Sequence, residues 1–326
     1  MAKKKPATKT KKKAPSADEL RETITNRLIK ALEAGTRPWI KPWVGDPNAG
    51  FPTNVDSKKR YRGVNPWLLD MTALDSNLKS KWWGTYKQWK KKGGQVRKGE
   101  TSTLIVFWKI FENDVVENGV TKKKKVFFLK YSNVFNLDQV ENTGEVKEGE
   151  KHPLDKLRIG AEPIKFEHDT FEPAEQVIAD SGASVTYGGN RACYTPSTDK
   201  VNCPNKDQFP KLSEFYNTMF HELTHWCEKR TGFDKIEDKS YALGELVAEI
   251  GSCYVAGHIG VPVENPQDDQ SAAYLKSWLK ALKDDPKFIF VASKWASKAA
   301  DLLLGDEIEI AEDKPNEDKP VVNQAA

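Results

Sequence analysis

His221-Glu222-Leu223-Thr224-His225 places two imidazoles four residues apart with a carboxylate between them. On a helix that spacing puts both histidines on one face, about 5.4 Å (one turn) apart. Two imidazole nitrogens at that separation can share one Zn²⁺ at about 2.0–2.1 Å. Glu222 then lies where it can take a proton from a metal-activated water. Downstream, Glu245 and Glu249 stand at i and i+4 in Tyr241-Ala-Leu-Gly-Glu-Leu-Val-Ala-Glu-Ile250, which reads as a second helix. Glu245 is the expected third ligand, completing a His₂Glu set with one position open for water. Glu249 is the expected outer acceptor that orients a liganding imidazole.

The elements that must position these groups are legible. Residues 213–232 read as one helix, with Ser213 as N-cap and Gly232 as the stop after Lys229 and Arg230. The pairing of an HExxH helix with a downstream ExxxE helix resembles the gluzincin metallopeptidases. That resemblance implies His221, His225 and Glu245 as ligands and Glu222 as general base. Tyr194 and Tyr241 are the candidates for stabilising a tetrahedral oxyanion. The alternatives are ordinary surface histidines, or a metal site that is structural or catalytically degenerate.

Charge divides the chain. Residues 1–150 hold 31 Lys and Arg against 17 Asp and Glu, whereas the remainder holds 20 against 30. A basic first half and an acidic second half suggest two domains with different partners, the first a polyanion. Seven of the ten tryptophans also fall in the first half. Trp82, Trp83, Tyr86 and Trp89 interleave there with Lys87, Lys90, Lys91, Lys92, Arg97 and Lys98, and Arg60 and Arg62 precede them. Basic groups along a backbone and rings that stack on bases are the two devices that hold single-stranded nucleic acid. The same tryptophans at regular spacing also suit a core, and the lysines a solvated face.

The organisation follows. Residues 1–15, with seven lysines, read as a disordered basic arm. A helix capped by Ser16 or Asp18 runs to about Glu33, followed by a loop presenting Trp39 and Trp43. Helices are expected over Asn65–Leu78 and Thr85–Lys92, and strands over Ser102–Phe111 and Lys125–Phe135. The expected division is a nucleic-acid module over 16–142, a linker over 143–157, a metal module over 158–305 and a disordered acidic tail over 306–326. Short strands are expected near Ser184–Tyr187 and Ala192–Tyr194, and helices near 271–284 and 288–304. No apolar run reaches membrane-spanning length, and the Lys-rich start lacks the apolar segment of a secretory signal. Four unevenly spaced cysteines fit a reduced, cytoplasmic setting.

Four ordered motifs sharpen this reading: Lys59-Arg-Tyr-Arg-Gly-Val-Asn-Pro66, Trp83-Gly-Thr-Tyr-Lys-Gln88, Gly93-Gly-Gln-Val-Arg-Lys-Gly-Glu100 and Val134-Phe-Asn-Leu-Asp-Gln139. With Tyr194-Thr-Pro-Ser-Thr-Asp199 ahead of the HExxH helix, they resemble ArdC-type antirestriction proteins over roughly residues 17–260, with Val64 where that pattern has Ile. The resemblance implies an α+β chain: a mixed helix/strand domain that binds single-stranded DNA, then a mostly helical zincin-like (gluzincin) metallopeptidase domain. It also implies Zn²⁺, a plasmid or phage source, protection of incoming DNA from restriction, and a host defence protein as substrate. Two other functions fit the same residues. One is a DNA-activated protease acting on DNA-bound or crosslinked protein. The other is a DNA-binding module with an inactive metal domain.

Overall fold

The computed structural model describes residues 16–34, 50–117, 120–144, 150–158, 170–237, 239–262 and 269–306. The basic arm, the Trp39/Trp43 loop and the tail beyond Asp306 lie outside them.

Helix α1 (Ala17–Glu33) starts at a capping box: the Ser16 hydroxyl accepts the Glu19 N–H while the Glu19 carboxylate accepts the Ser16 N–H. Its buried stripe is Leu20, Ile24, Leu28 and Leu32, at the spacing one helix face requires. Strand β1 (Thr53–Asn54) pairs in parallel with β2 (Trp82–Gly84), and α2 (Asn65–Asp75) lies between them in the chain. Helix α3 (Tyr86–Lys91) opens on a second capping box, Thr85 with Gln88. Strand β3 (Gly94–Val96) pairs with β6 (Val140–Asn142). Between these, β4 (Thr103–Glu117) and β5 (Val120–Asn136) form a long antiparallel hairpin, so the main sheet runs β1-β2-β5-β4.

The hairpin outruns the expected strands by several residues at its tip. Its register sets Glu112 opposite Lys125 and Asp114 opposite Lys123.

The second half comprises α4 (Pro153–Arg158), α5 (Glu172–Asp180), a sheet ordered β7 (Ser184–Tyr187), β9 (Lys200–Cys203), β8 (Cys193–Thr195), and four longer helices. These are α6 (Leu212–Thr231), α7 (Tyr241–Ile259), α8 (Asp269–Asp284) and α9 (Phe288–Leu303). No described helix is long and apolar enough to cross a membrane.

Two boundary expectations are corrected. The far end of the expected linker is anchored: Leu154 is fully buried among Val55, Trp89, Val96, Leu137 and Val140. Arg158 adds hydrogen bonds to Asn142 Oδ1 at 2.5 Å and to the Val140 carbonyl at 2.6 Å. Nor does 143–157 separate two cores. One cluster joins Leu28, Leu32 and Trp67 of the first half to Trp278, Leu282 and Ile289 of the last helices. Burial of rings and leucines at about 25 cal/mol per Å² makes such a shared core the main adhesive between the halves.

Polar contacts fix the register of that joint. Gly63 N–H donates to Ser297 Oγ at 2.9 Å, and Tyr254 donates to the Gly63 carbonyl at 2.7 Å. Arg60 and Arg62 both converge on the buried Asp301 carboxylate, and Arg60 also reaches Asp306. Burial raises Asp301 above the ordinary carboxyl range, although both guanidiniums oppose the rise. The expected DNA-binding role of Arg60 and Arg62 is therefore corrected: these cations join the two halves.

A candidate metal centre and a candidate nucleic-acid face

Helix α6 is two-faced. Phe215, Tyr216, Met219, Phe220, Leu223 and Cys227 are buried, whereas His221, Glu222 and His225 lie half-buried. The helix begins at Leu212, one residue before the expected cap, so Ser213 is a buried helical residue; Lys211 holds the N-cap position. It stops at Gly232, whose φ of +82° is strained for any residue with a Cβ. Helix α7 starts at Ser240, whose hydroxyl accepts the Leu243 N–H at 3.1 Å. The two helices approach closely because Gly251 faces Thr224: a methyl there would sit 2.6 Å from Thr224 Cγ2.

That approach brings Glu245 onto the histidine pair. Glu245 Oε2 lies 3.5 Å from His221 Nε2, and Glu245 Oε1 lies 3.7 Å from His225 Nε2. One donor atom from each of the three residues falls within 4.8 Å of the others. The two rings are 4.9 Å apart and inclined at 75°. Two neutral nitrogens and one carboxylate oxygen suit a divalent ion of borderline hardness, so the residues present fit a metal. Burial alone would lower His221, but Glu245, with Glu222 and Glu249 nearby, raises it instead. Burial pushes Glu245 up, and His221, His225 and the Tyr241 hydroxyl more than offset that.

The expected base and outer groups take definite positions. Glu222 Oε2 accepts the backbone N–H of Tyr194 at 2.7 Å, which ties the carboxylate to edge strand β8. The Tyr194 hydroxyl instead donates to Asp199 at 2.9 Å, and Arg230 grips the same carboxylate at 2.7 and 3.2 Å. The Arg230 Cζ sits over the Trp226 ring, 3.4 Å from its centroid, and Lys229 reaches the Pro196 carbonyl. The Tyr194–Asp199 motif is thus a hairpin clamped to the C-terminal turns of α6. With Tyr194 committed there, Tyr241, 72% exposed and hydrogen-bonded to Glu245, is the hydroxyl beside the donor cluster.

Sequence reasoning missed Glu228. His225 Nδ1 lies 2.9 Å from Glu228 Oε1, and Lys239 Nζ lies 2.5 Å from Glu228 Oε2. Burial raises Glu228, yet His225 and Lys239 bring it below the ordinary carboxyl range. The i, i+3 spacing His225-x-x-Glu228 was the available signal. Glu249, expected to orient an imidazole, lies close enough to act on His221 through its charge; the acceptor on His225 is Glu228.

The aromatic-basic cluster divides. Trp83 is 1% exposed and Trp89 is fully buried, its indole N–H donating to the Phe135 carbonyl at 2.9 Å. Both are corrected to core residues, since a buried ring has no face to offer a base. Gly84 permits the packing, because a methyl there would lie 2.6 Å from Val55. Arg97 is engaged with Glu100 and the Asp138 carbonyl, and Lys91 and Lys92 lie 3.3 and 3.5 Å from Asp56. On the surface remain the half-buried Trp82, the 44%-exposed Tyr86, and Lys87, Lys90, Lys91 and Lys98. Lys58, absent from the expected set, sits 4.2 Å above the Trp82 ring.

Comparisons with known proteins agree with this division. Residues 18–135 match the model of the N-terminal domain of anti-restriction factor ArdC, and residues 172–295 match a zincin-like metallopeptidase model. The chain is 34% identical over 310 residues to the DNA primase TraC of Escherichia coli, covering 88% of this chain but 20% of that protein. A second Escherichia coli TraC is covered over 27% of its length, so the chain spans about a quarter or less of these relatives. It is 32% identical to the uncharacterized protein y4eC of Sinorhizobium fredii, covering 87% of this chain and 91% of that one. The metal-free crystal structure of the antirestriction protein ArdC from plasmid R388 superposes with a TM-score of 0.69. It has 36% identity and covers 87% of this chain and 96% of that one. The Mn(II)-bound form of the same protein gives a TM-score of 0.67 at 34% identity. On the strength of both domain matches and near-complete coverage of a solved relative, the chain belongs to the ArdC antirestriction family and carries a zincin-like metallopeptidase domain.

Proposed function

We propose that this is a mobile-element protein that binds single-stranded DNA entering a host cell and acts on a host defence protein through a divalent-metal peptidase site. The observation that carries the reading is the convergence of His221, His225 and Glu245 beside the tethered Glu222. Those three residues would hold the ion, with Zn²⁺ favoured by the His₂Glu donor set and Mn²⁺ suggested by the R388 relative. When bound, the ion would polarise a peptide carbonyl and acidify a water.

The chain's own groups supply the rest. Glu222 receives the proton and returns it to the leaving amine, its Oε2 positioned by the Tyr194 N–H. Glu228 keeps the His225 proton on Nδ1, leaving Nε2 as the donor. Tyr241 can hydrogen-bond a developing oxyanion. On the other half, Trp82, Tyr86 and the lysines of α3 would hold a strand by stacking and charge. The host cytoplasm is the compartment in which entering DNA and its defence proteins meet.

The test is paired. The purified full chain is assayed for bound metal and for salt-titrated binding to single- and double-stranded oligonucleotides. About one metal per chain, lost in His221→Ala, with salt-sensitive preference for single strands, is expected. A chain that takes up no Zn²⁺ or Mn²⁺, or that ignores oligonucleotides at low salt, defeats the corresponding half of the reading.

A further inference from the structure

Trp82 and Tyr86 both reach the surface of the basic half, but Trp82 has a lysine on its ring. The ring is half-buried and packs against the cluster that holds Val55, Trp89 and Leu137. Lys58 Nζ stands 4.2 Å from its centroid, and Lys81 Nζ, from the preceding residue, 5.4 Å. An ammonium at that height fills the space in which a base would stack.

The fold fixes where Lys58 stands. Residues 54–59 close a turn in which the Asn54 N–H donates to the Lys59 carbonyl at 2.9 Å and the Lys58 N–H to the Asn54 carbonyl at 3.0 Å. Asn54 Oδ1 also accepts the Asp56 and Ser57 N–H groups at 2.9 and 3.0 Å. These bonds hold Lys58 at φ +62°, a left-handed conformation that favours glycine or asparagine over lysine. A strained backbone held by its surroundings points to a side chain whose direction matters. The turn is in turn fixed to the ring, because β1 pairs Thr53 with Trp82 and the Asn54 side chain donates to the Tyr61 hydroxyl at 3.0 Å.

Charge at this corner is unbalanced. Lys91 and Lys92 lie 3.3 and 3.5 Å from the same Asp56 oxygen. Burial and the nearby Lys92 hold the Lys58 ammonium below the ordinary lysine range, and Asp56 opposes them. The ammoniums of Lys58, Lys81, Lys91 and Lys92 thus outnumber the Asp56 carboxylate around one turn and one ring, an excess that favours a polyanion. Resting on the single-stranded-DNA reading above, we propose that Trp82 is a positioning residue. Its ring seats the Lys58 ammonium, which with Lys81 binds one phosphodiester of the strand, and base stacking falls to Tyr86.

Anisotropy titrations of the full chain, over a series of salt concentrations, use a labelled oligothymidylate and an abasic oligomer of equal length. Lys58→Ala and Trp82→Leu should each lower the slope of log affinity against log salt by about 0.7, the value for one phosphate of a single strand. Each loss should be alike on both oligomers, and the double variant should bind like either single one. Lys58→Arg, whose guanidinium also seats on a ring, should keep the slope. Melting transitions are followed alongside, and if Trp82→Leu unfolds, the two Lys58 variants decide. A Trp82→Leu chain that loses affinity for the thymidylate alone, at unchanged slope, makes Trp82 a stacking ring and overturns the proposal while DNA binding stands. Lys58→Ala with wild-type affinity and slope overturns it too. A wild-type chain that binds neither oligomer removes the parent reading, and this one with it.

Discussion

The α6–α7 pair and the β2–α3 segment were equally rich in suggestive residues, yet they differ in how far those residues do what their types suggest. In the helix pair, His221, His225 and Glu245 reach one place, and Glu222 is near enough to act on His221 through its charge. In the other segment, Trp83 and Trp89 turn inward while Tyr86 and the lysines turn out. The difference lies in the chemistry. A metal site needs unlike, polar groups at fixed spacing, and few packing arrangements generate that set. Tryptophan serves a core and a stacking platform equally well, so its type alone does not choose.

The largest effect expected is at the metal centre. Glu222→Gln keeps the shape and removes the proton acceptor, so any peptidase activity should fall about 10²–10⁴-fold. Metal content and melting temperature should barely change. Equal loss of metal and activity would place Glu222 among the ligands and erase the distinction drawn between base and donor set.

Next comes the buried half of the aromatic segment. Trp89→Ala removes a fully buried ring that also satisfies the Phe135 carbonyl, which should cost about 3–5 kcal/mol of stability. Chemical denaturation reads that directly. If the variant instead stays as stable as wild type and loses oligonucleotide affinity, Trp89 belongs to the DNA face after all. Glu228→Gln should then weaken metal binding about 10–100-fold without unfolding the chain, as expected for a group that fixes an imidazole's orientation. Competition with a calibrated chelator measures it. Unchanged affinity would show that the Glu228–Lys239 pair serves only the helix.

Legibility in the sequence followed range. Helix α1, with its cap expected at Ser16 or Asp18, and the HExxH face were readable because their signals lie within one or two turns. Glu245 was readable because chemistry demanded a carboxylate and the next helix offered one. Arg60 and Arg62 were misread because their partner, Asp301, lies 241 and 239 residues away, and a lone basic run looks the same whether it meets phosphate or a buried aspartate. The shared core was hidden for the same reason: amphipathic stripes on α1 and α9 announce a buried face without naming the neighbour. Strand β9 was missed because its alternation runs over only four residues, Lys200 to Cys203, too short a run to stand out, and its pairing with both β7 and β8 is what makes it a strand.

The smallest expected effect is the one that most directly separates the two regions. Tyr86 is half-exposed, its ring outside the core and its hydroxyl on Gln95, so Tyr86→Ala should leave stability within about 0.5 kcal/mol of wild type. A stacked ring contributes about 1–3 kcal/mol per base, and a partly exposed one should fall at the low end, so affinity for a single strand should drop about fivefold. Because stacking is sequence-tolerant and uncharged, the loss should be similar for thymine and adenine oligomers and should leave the slope of log affinity against log salt unchanged. Replacing Lys87 and Lys90 together by alanine should do the reverse, reducing the slope by about 1.4 units while base stacking persists. If Tyr86→Ala alters the slope, or the lysine pair does not, ring and charge on α3 do not divide the work as two faces of one helix, and the contrast with the metal helices loses its physical basis.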